Sequence, residues 1–239
     1  MNKITFHSNR YYNSLSEKYY PVPVKTQVPK WFSAADKYWL NPDGKPMEDH
    51  EGNKVFNFKM CPALLDIFTA GYFYVTPCDI TFKKQDGFLI PQTEPGFEDF
   101  CGPRSAMPGL AVPNGYSENH FHWYPNFAPS LPKGYSAMYL SPLNRFDLPF
   151  LTVAGIIDND NMDTPGLMPF FLKEGFEGVI PAGTPYVQVI PFKRDDWEME
   201  VKHYSYPEIV ERHQYQAKKF RVKEGGAYKK HVWSRKRYE

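Results

Sequence analysis

Three short apolar runs, crowded into residues 151–197, constrain the fold of this chain most strongly. The first covers residues 151–157, the second residues 167–172 and the third residues 186–192. Asp, Asn, Gly and Pro separate the runs, and these residue types favour turns. Strands this short and this closely spaced leave no room for crossover helices, so they should pair antiparallel. The pattern predicts an all-β fold, either a β-barrel or a sandwich such as a jelly roll.

Length and composition support one main β domain with short helices around it. A chain of 239 residues with 42% hydrophobic residues can bury a substantial core. Its 17% aromatic residues and 23 prolines suit many short strands better than long helices. We expect an N-terminal arm with a short helix in residues 1–57, the β domain in residues 58–200, and a C-terminal helix with a basic tail in residues 201–239. Residues 92–126 show little periodicity and are expected to form a long loop.

Charge, hydropathy and cysteine content limit the functions open to the chain. The formal net charge is +1, so nucleic-acid binding would need a local basic patch. No apolar run reaches the roughly 18 to 20 residues that cross a bilayer, and the N-terminus lacks an apolar signal core. We therefore expect a protein of the cytoplasm, or of the host cytoplasm or virion if a phage encodes it. Cys61, Cys78 and Cys101 contain no CxxC pair, which argues against a zinc knuckle or a disulfide framework.

Four short segments follow one another in order: Ala70-Gly71-Tyr72 with Asp79, residues 132–136 with Pro142, residues 154–160, and residues 183–190. The third reads Ala-Gly-Ile-Ile-Asp-Asn-Asp and the fourth Gly-Thr-Pro-Tyr-Val-Gln-Val-Ile. In their order they resemble the motifs of the trimeric dUTPase and dCTP deaminase superfamily. The chain is also similar to uncharacterised proteins of tailed phages and bacteria. The first resemblance spans about residues 70–192 and implies a dUTPase-like jelly roll of the β-clip type.

This resemblance implies a nucleotide site in which Asp158 is the catalytic carboxylate. In the family the matching Asp orients the water that attacks the α-phosphorus, and a carboxylate fixed at a strand end suits that role. By the same resemblance Asn144, Arg145, Asn161 and Gln188 would bind the nucleotide. Mg²⁺ would arrive with the nucleotide, and no resident cofactor or metal is expected.

Three groups of the family's site are missing from this sequence. Asn161 replaces the tyrosine that packs under the deoxyribose, and Leu143-Asn144 aligns with the Arg-Ser pair that binds phosphates. The C-terminus also lacks a Gly-rich lid with its arginine, so the phosphates lose their cationic clamp. We therefore expect a non-catalytic structural or interaction protein on a degenerate dUTPase-like fold, phage-encoded and part of an assembly. A divergent deoxynucleotide-binding protein or nucleotide pyrophosphatase is the alternative.

A pair of histidines leaves a metal-dependent enzyme as a lesser alternative. His120-Phe-His122 places two imidazoles on one side of a strand, and residues 181–183 have the form of a Pro-x-Gly turn. Both features resemble parts of the cupin motifs. The glutamate that should follow the histidine pair is absent, and Tyr186 occupies the place of the later histidine.

The C-terminal segment is basic and aromatic. Ten Lys or Arg residues lie between Arg212 and Arg237, interleaved with Tyr, Phe and Trp. Such a segment can stack on bases and contact phosphates, but it more often docks on an acidic protein surface. Nucleic acid is therefore an alternative partner, and no membrane contact is expected. We expect a homo-oligomer, by resemblance a trimer, in which the N-terminal arm and this tail reach partners.

Overall fold

The computed structural model describes residues 2–8, 16–104, 110–164, 166–220 and 232–239. The α-helices of these residues are α1 (Lys30–Ser33), α2 (Pro62–Ile67) and α3 (Tyr206–Phe220). Short 3-10 turns lie at Glu17–Tyr19, Val24–Gln27 and Phe58–Met60. The strands are β1 (Thr5–Ser8), β2 (Val22–Pro23), β3 (Tyr72–Val75), β4 (Ile80–Gln85), β5 (Phe88–Gln92), β6 (Cys101–Pro103), β7 (Tyr116–Trp123), β8 (Phe127–Ser130), β9 (Tyr135–Leu140), β10 (Phe150–Thr152), β11 (Gly155–Ile157), β12 (Met168–Lys173), β13 (Gly178–Ile180) and β14 (Pro185–Lys193).

These strands form four sheets, and every pairing in them is antiparallel. The strand orders are β11-β9-β14-β3-β2, β10-β12-β7-β6, β13-β4-β5 and β1-β8. The predicted all-β, antiparallel fold with few helices is therefore confirmed. The barrel alternative is wrong for the described residues, because each strand order is open and none closes on itself.

The chain divides into two compact units. The first comprises Met1–Thr26 and Gly71–Arg194, and it holds all fourteen of the strands given above. The second comprises Gln27–Ala70 and Asp195–Glu239, and it holds the three helices. Among the described residues, no helix is both long enough and apolar enough to cross a membrane.

Aromatic side chains fill the core of the first unit. Trp123 of β7 stacks on Phe170 of β12 with ring centroids 3.7 Å apart and planes at 8°. Trp123 Nε1 donates to Thr152 Oγ1 at 3.1 Å, and that hydroxyl donates to the Tyr186 carbonyl at 2.7 Å. The polar edge of the largest core residue is thereby satisfied through a chain of two buried hydrogen bonds.

Two segments differ from the expectations drawn from the sequence. The apolar run 151–157 is divided between two sheets, because β10 pairs with β12 whereas β11 pairs with β9. Val153, at the break, donates its N–H to the Pro169 carbonyl at 2.8 Å. The long loop expected over residues 92–126 is wrong, since β6 and the eight-residue β7 lie within it.

The N-terminal arm joins the sheets of its own chain. β1 pairs with β8, and β2 pairs with β3. Phe6 of β1 packs edge-on against Tyr72 and Tyr74, with ring centroids 5.3 and 5.9 Å away. The described part of the arm therefore adds strands to the sheets of its own chain.

The second unit places the end of the C-terminal tail on α2. Trp233 Nε1 donates to the Asp66 carboxylate at 3.0 Å, and Lys236 Nζ lies 2.6 Å from the same group. Helix α3 begins after Ser205, whose N–H and hydroxyl both donate to Glu208 at 2.7 Å. The bond from the Ser205 N–H to the Glu208 side chain is the half of a capping box that satisfies the N-cap N–H group. Several cations of the predicted basic tail lie outside the described residues: Arg221, Lys223, Lys229 and Lys230.

Candidate functional site

The corner that carries Asp158 directly follows β11. The Asp158 carbonyl accepts hydrogen bonds from the N–H groups of Asn161, at 3.0 Å, and Met162, at 3.2 Å. The Asn159 amide donates to the Met162 carbonyl at 3.0 Å, while its oxygen accepts from the Tyr139 hydroxyl at 2.9 Å. Asp158, Asn159, Asp160 and Asn161 therefore form the turn that these residue types favour.

Arg194, the residue after β14, holds this corner in place. Its guanidinium donates to both carboxylate oxygens of Asp160, to Ser136 Oγ at 2.9 Å and to the Tyr135 carbonyl at 3.0 Å. The Gly134 N–H also donates to Asp160, at 2.8 Å. The side chain of Asp160 is only 1% exposed. The hydrogen bonds from Arg194, and after them the one from Gly134, lower the pKa of Asp160 to about 2.

Asp158 lies at the edge of the same network. Its side chain is 60% exposed, accepts a hydrogen bond from Ser136 Oγ at 2.6 Å and lies 3.3 Å from Arg194 Nη1. One guanidinium therefore faces two carboxylates, and both of these contacts fall on the Oδ1 atom of Asp158. A water activated by Asp158 would have to share that carboxylate with Ser136 and Arg194.

The predicted nucleotide-binding residues fall into two groups at opposite ends of β9. This strand lies between β11 and β14. Ala137 pairs with Ile157, which precedes Asp158, whereas Leu140 pairs with Gln188. The three residue steps from Ala137 to Leu140 span roughly 10 Å of strand. Asn161 stays beside Asp158, while Asn144 and Arg145 follow the other end of β9.

The second group is engaged in contacts within the chain. Gln188 is buried, and its side-chain oxygen accepts from the Leu143 N–H at 3.0 Å. Arg145 forms a bidentate ion pair with Asp147, with nitrogen–oxygen distances of 2.8 and 2.7 Å. Asn144 has a φ of 56°, the left-handed turn conformation that Asn tolerates. The cation among the predicted nucleotide ligands is therefore already paired with a carboxylate.

A separate polar cluster lies on the face of β7 opposite to Trp123. β6 pairs with β7 so that Gly102 lies opposite His122, and the Arg104 N–H donates to the His120 carbonyl at 3.1 Å. Residues two apart on a strand, and residues directly opposite on its partner, point to the same face. The side chains of Arg104, His120 and His122 therefore share one face of the sheet, as the sequence indicated for the two histidines.

These three side chains have unsatisfied polar atoms. Within the described ranges, Arg104 Nη1, His120 Nε2 and His122 Nδ1 are buried and have no hydrogen-bond partner. Burial, and after it the charge of Arg104, lowers the pKa of both imidazoles. Such atoms in a native fold call for an explanation, since buried polar groups nearly always have partners.

A cleft of about 560 Å³ adjoins the cluster through His122. The rest of its lining is formed by Glu98, Asp99, Cys101, Gly102, Pro103, Tyr124 and Leu167. The His122 ring lies across Gly102, where a Cβ atom would be 3.1 Å from His122 Cε1. Because Gly102 has no Cβ atom, it leaves room for the His122 ring to pack against the sheet at this position.

The cupin-like alternative gains no third ligand from the fold. Among the described residues, no group of three or more His, Cys, Asp and Glu side chains could hold a metal ion. Arg104 lies on the same face as the two histidines, and a neighbouring cation disfavours a bound metal.

Sequence reasoning missed both arginines that organise these two clusters. Arg194 is the second residue after the third apolar run, and the acidic corner at 158–161 was a signal that a cation should lie nearby. Arg104 lies within the stretch interpreted as a loop, so its alignment with His120 had no signal in the sequence. Comparisons of the chain with protein-family models, with curated proteins and with solved structures find no match. The geometry of these residues is therefore what supports a functional proposal.

Proposed function

We propose that this chain is a non-catalytic structural or interaction protein that assembles with further copies of itself. In this proposal the fold is a degenerate dUTPase-like jelly roll, and the protein is encoded by a phage. The observation that carries the proposal is an apolar strip after β14, formed by Trp197, Met199 and Val201. Their side chains are 90%, 87% and 68% exposed. Contiguous large apolar side chains on a protein surface mark a site that a partner covers.

The strip has the character of an unpaired strand. Residues 195–204 belong to no described helix or strand. Glu200 and Lys202, two residues apart, form an ion pair of 2.9 Å, which puts them on one side of the chain. The apolar residues alternate with these charged ones, so they share the other side. A segment with one apolar face and exposed backbone can add to a sheet edge or pair with its own copy.

Charge favours a second copy of this chain as the partner. Acidic residues precede the apolar strip and alternate with its members: Asp195, Asp196, Glu198 and Glu200. The end of the tail carries the exposed cations Arg235 and Arg237. Because one chain offers both signs, two copies can meet with complementary charge. A trimer is the assembly that the dUTPase-like resemblance implies.

The predicted nucleotide site supports the non-catalytic half of the proposal. Asp158 shares its carboxylate with Ser136 and Arg194. Arg145 could bind phosphate only after releasing Asp147. The alternative, a divergent deoxynucleotide-binding protein or pyrophosphatase, requires both rearrangements, and Mg²⁺ would then come with the nucleotide.

The mass of the protein in solution tests the proposal. Light scattering over a range of concentrations should give a multiple of the 27.8 kDa chain, three copies for a trimer. Replacing Trp197 and Met199 together by serine should shift the protein towards the monomer at equal concentration. Phe146→Ser is the matched control, because it also removes an exposed aromatic side chain but one outside the strip. A wild-type protein that stays monomeric at every concentration contradicts the proposal.

A further inference from the structure

We infer that Arg104, His120 and His122 form a binding site for an oxyanion, the carboxylate or phosphate group of a small ligand. This site lies in the first unit, away in sequence from the apolar strip, and does not depend on assembly. Residues 102–105 read Gly-Pro-Arg-Ser and copy part of the second dUTPase-like motif, but they precede residues 132–134 where the family's motif follows them, so the dUTPase-like pattern assigns no role to Arg104.

The cluster contains buried polar atoms that have no hydrogen-bond partner among the described residues. His120 is only 6% exposed, yet its Nε2 atom has no hydrogen-bond partner among the described residues. The same holds for Arg104 Nη1 and His122 Nδ1. Nor does any described carboxylate form an ion pair with Arg104. Leaving buried donor atoms without an acceptor is costly, so the site calls for a group that supplies acceptors, and the charge of Arg104 favours a negative one.

The three side chains start close enough together to bind one small group. His120 and His122 are two residues apart on β7, which separates their Cα atoms by roughly 7 Å. Arg104 lies across from His120, at the roughly 5 Å distance of antiparallel partners. Side chains that start this close on one face can converge on a single group with two or three oxygens. A guanidinium is suited to such a group because its N–H donors form a planar fork.

The charge of the cluster favours an anion over a metal ion. Burial and the Arg104 charge keep the imidazole pKa values low, so at neutral pH each ring is uncharged and can donate one N–H. Uncharged imidazoles alone would also suit a metal. The guanidinium beside them repels a metal cation and attracts an anion. The cluster therefore has the opposite preference to the metal site that the two histidines indicated in the sequence.

The cleft beside His122 limits the rest of the ligand. Glu98 and Asp99 line it, and both are exposed. Their carboxylates disfavour further negative charge in the cleft, so a ligand with one oxyanion and a neutral or cationic remainder fits better than a nucleoside triphosphate. Tyr124, on the same lining, offers an aromatic surface for that remainder.

Calorimetric titration with inorganic phosphate and, separately, with acetate tests the site. Sodium chloride at the same ionic strength is the reference for general salt effects. We expect saturable binding of at least one probe, and the tighter of the two identifies the oxyanion as phosphate or carboxylate. Arg104→Gln should weaken that binding by roughly tenfold or more, because the charge-assisted hydrogen bonds are lost.

Two further variants keep the test decisive. Lys84→Gln is the control, since it removes an exposed cation of the same unit that is paired with Glu177 at 3.1 Å, and it should leave binding unchanged. Gly102→Ala removes no charge or donor but pushes on the His122 ring, so it should also weaken binding, even if Arg104→Gln does not fold. The inference is overturned if neither probe binds, or if binding survives both Arg104→Gln and Gly102→Ala.

Discussion

Arg194 forms a bidentate ion pair with Asp160 and thereby joins the ends of two strands that are not neighbours. Arg194 follows β14 and Asp160 lies in the corner after β11, while β9 runs between these strands. The same guanidinium donates to the Tyr135 carbonyl at the start of β9. The Arg194 side chain therefore connects the ends of three strands of the five-stranded sheet: β9, β11 and β14. The acidic corner is in this way a structural element of the fold.

The Asp160 pair gives the protein a defined response to acid. Its pKa is about 2, below the roughly 3.9 of an unfolded Asp. A depressed carboxylate pKa stabilises the fold above the unfolded value, and this contribution is lost as the pH falls towards the folded value. We therefore expect Asp160→Asn to lose less stability than wild type between about pH 4 and pH 2. Urea unfolding at a series of pH values measures this.

Asp147→Asn is the control for that experiment. Asp147 also has an arginine partner and a lowered pKa, but its side chain is half exposed and solvent screens the pair. The acid-dependent loss of stability should therefore change less in Asp147→Asn than in Asp160→Asn. Equal effects of the two substitutions would show that the Arg194 network has no special part in the acid response.

Two glycines with similar backbone angles should differ sharply in their tolerance of alanine. Gly71 and Gly183 have φ values of 76° and 80°. A Cβ atom on Gly183 meets nothing within 4 Å, so Gly183→Ala should cost only the backbone strain, about 1 kcal/mol. At Gly71 the Cβ atom would lie 2.1 Å from the Val189 carbonyl oxygen, so that substitution also has to displace β14.

Thermal unfolding of the two variants compares these costs directly. We expect Gly71→Ala to be clearly the more destabilising, by several kcal/mol or by loss of folding. Gly183→Ala serves as its matched control, since both introduce the same methyl group at a positive φ. Similar melting temperatures for the two would mean that the close approach of Gly71 to β14 is not rigid.

The hydroxyl of Thr152 should matter more than that of an exposed threonine. It accepts from Trp123 Nε1 and donates to the Tyr186 carbonyl, and all three residues are buried. Thr152→Val keeps the shape but removes the acceptor of the buried Trp123 N–H and a donor to the Tyr186 carbonyl, which costs about 1 to 3 kcal/mol. Thr26→Val, where the hydroxyl bonds the Pro23 carbonyl in an exposed turn, should change stability by about 0.5 kcal/mol or less. Urea unfolding of both variants measures the difference.

Features of the fold that depend on neighbouring residues could be predicted from the sequence. The corner at Asp158 and the turn at Gly183 follow from local backbone preferences, and the structure has both, with Gly183 at a φ of 80°. The antiparallel pairing followed from the short distances between apolar runs. Each of these signals lies within about ten residues of the structure that it specifies.

Features that depend on distant residues could not be predicted in this way. The division of residues 151–157 between two sheets is set by pairing with β9 and β12, and nothing in the run itself marks the break at Val153. In β7, Phe121 and Trp123 alternate with His120 and His122, as expected for a strand. The first half of β7 is polar, so the sequence as a whole did not show this alternation clearly. Arg194 and Asp160 are 34 residues apart, so their ion pair becomes visible only once both strands are placed.

Catalysis by Asp158 is the most direct test of the function implied by the dUTPase-like resemblance. We expect little or no pyrophosphate release from dUTP or dCTP with Mg²⁺, because the sequence lacks the family's phosphate-binding arginine and Arg145 is paired with Asp147. The loss of one transition-state donor costs about 3 to 4 kcal/mol, so any remaining rate should be lower by roughly 100-fold or more. Asp158→Asn should therefore leave this low rate unchanged.

The opposite outcome would assign the corner a different role. If wild type releases pyrophosphate rapidly and Asp158→Asn abolishes the release at an unchanged melting temperature, Asp158 is catalytic despite its contact with Arg194. Arg145→Gln then shows whether that arginine leaves Asp147 to bind phosphate, since its loss should raise KM for the nucleotide. If Arg145→Gln has no effect, the phosphates must take their cation from another residue.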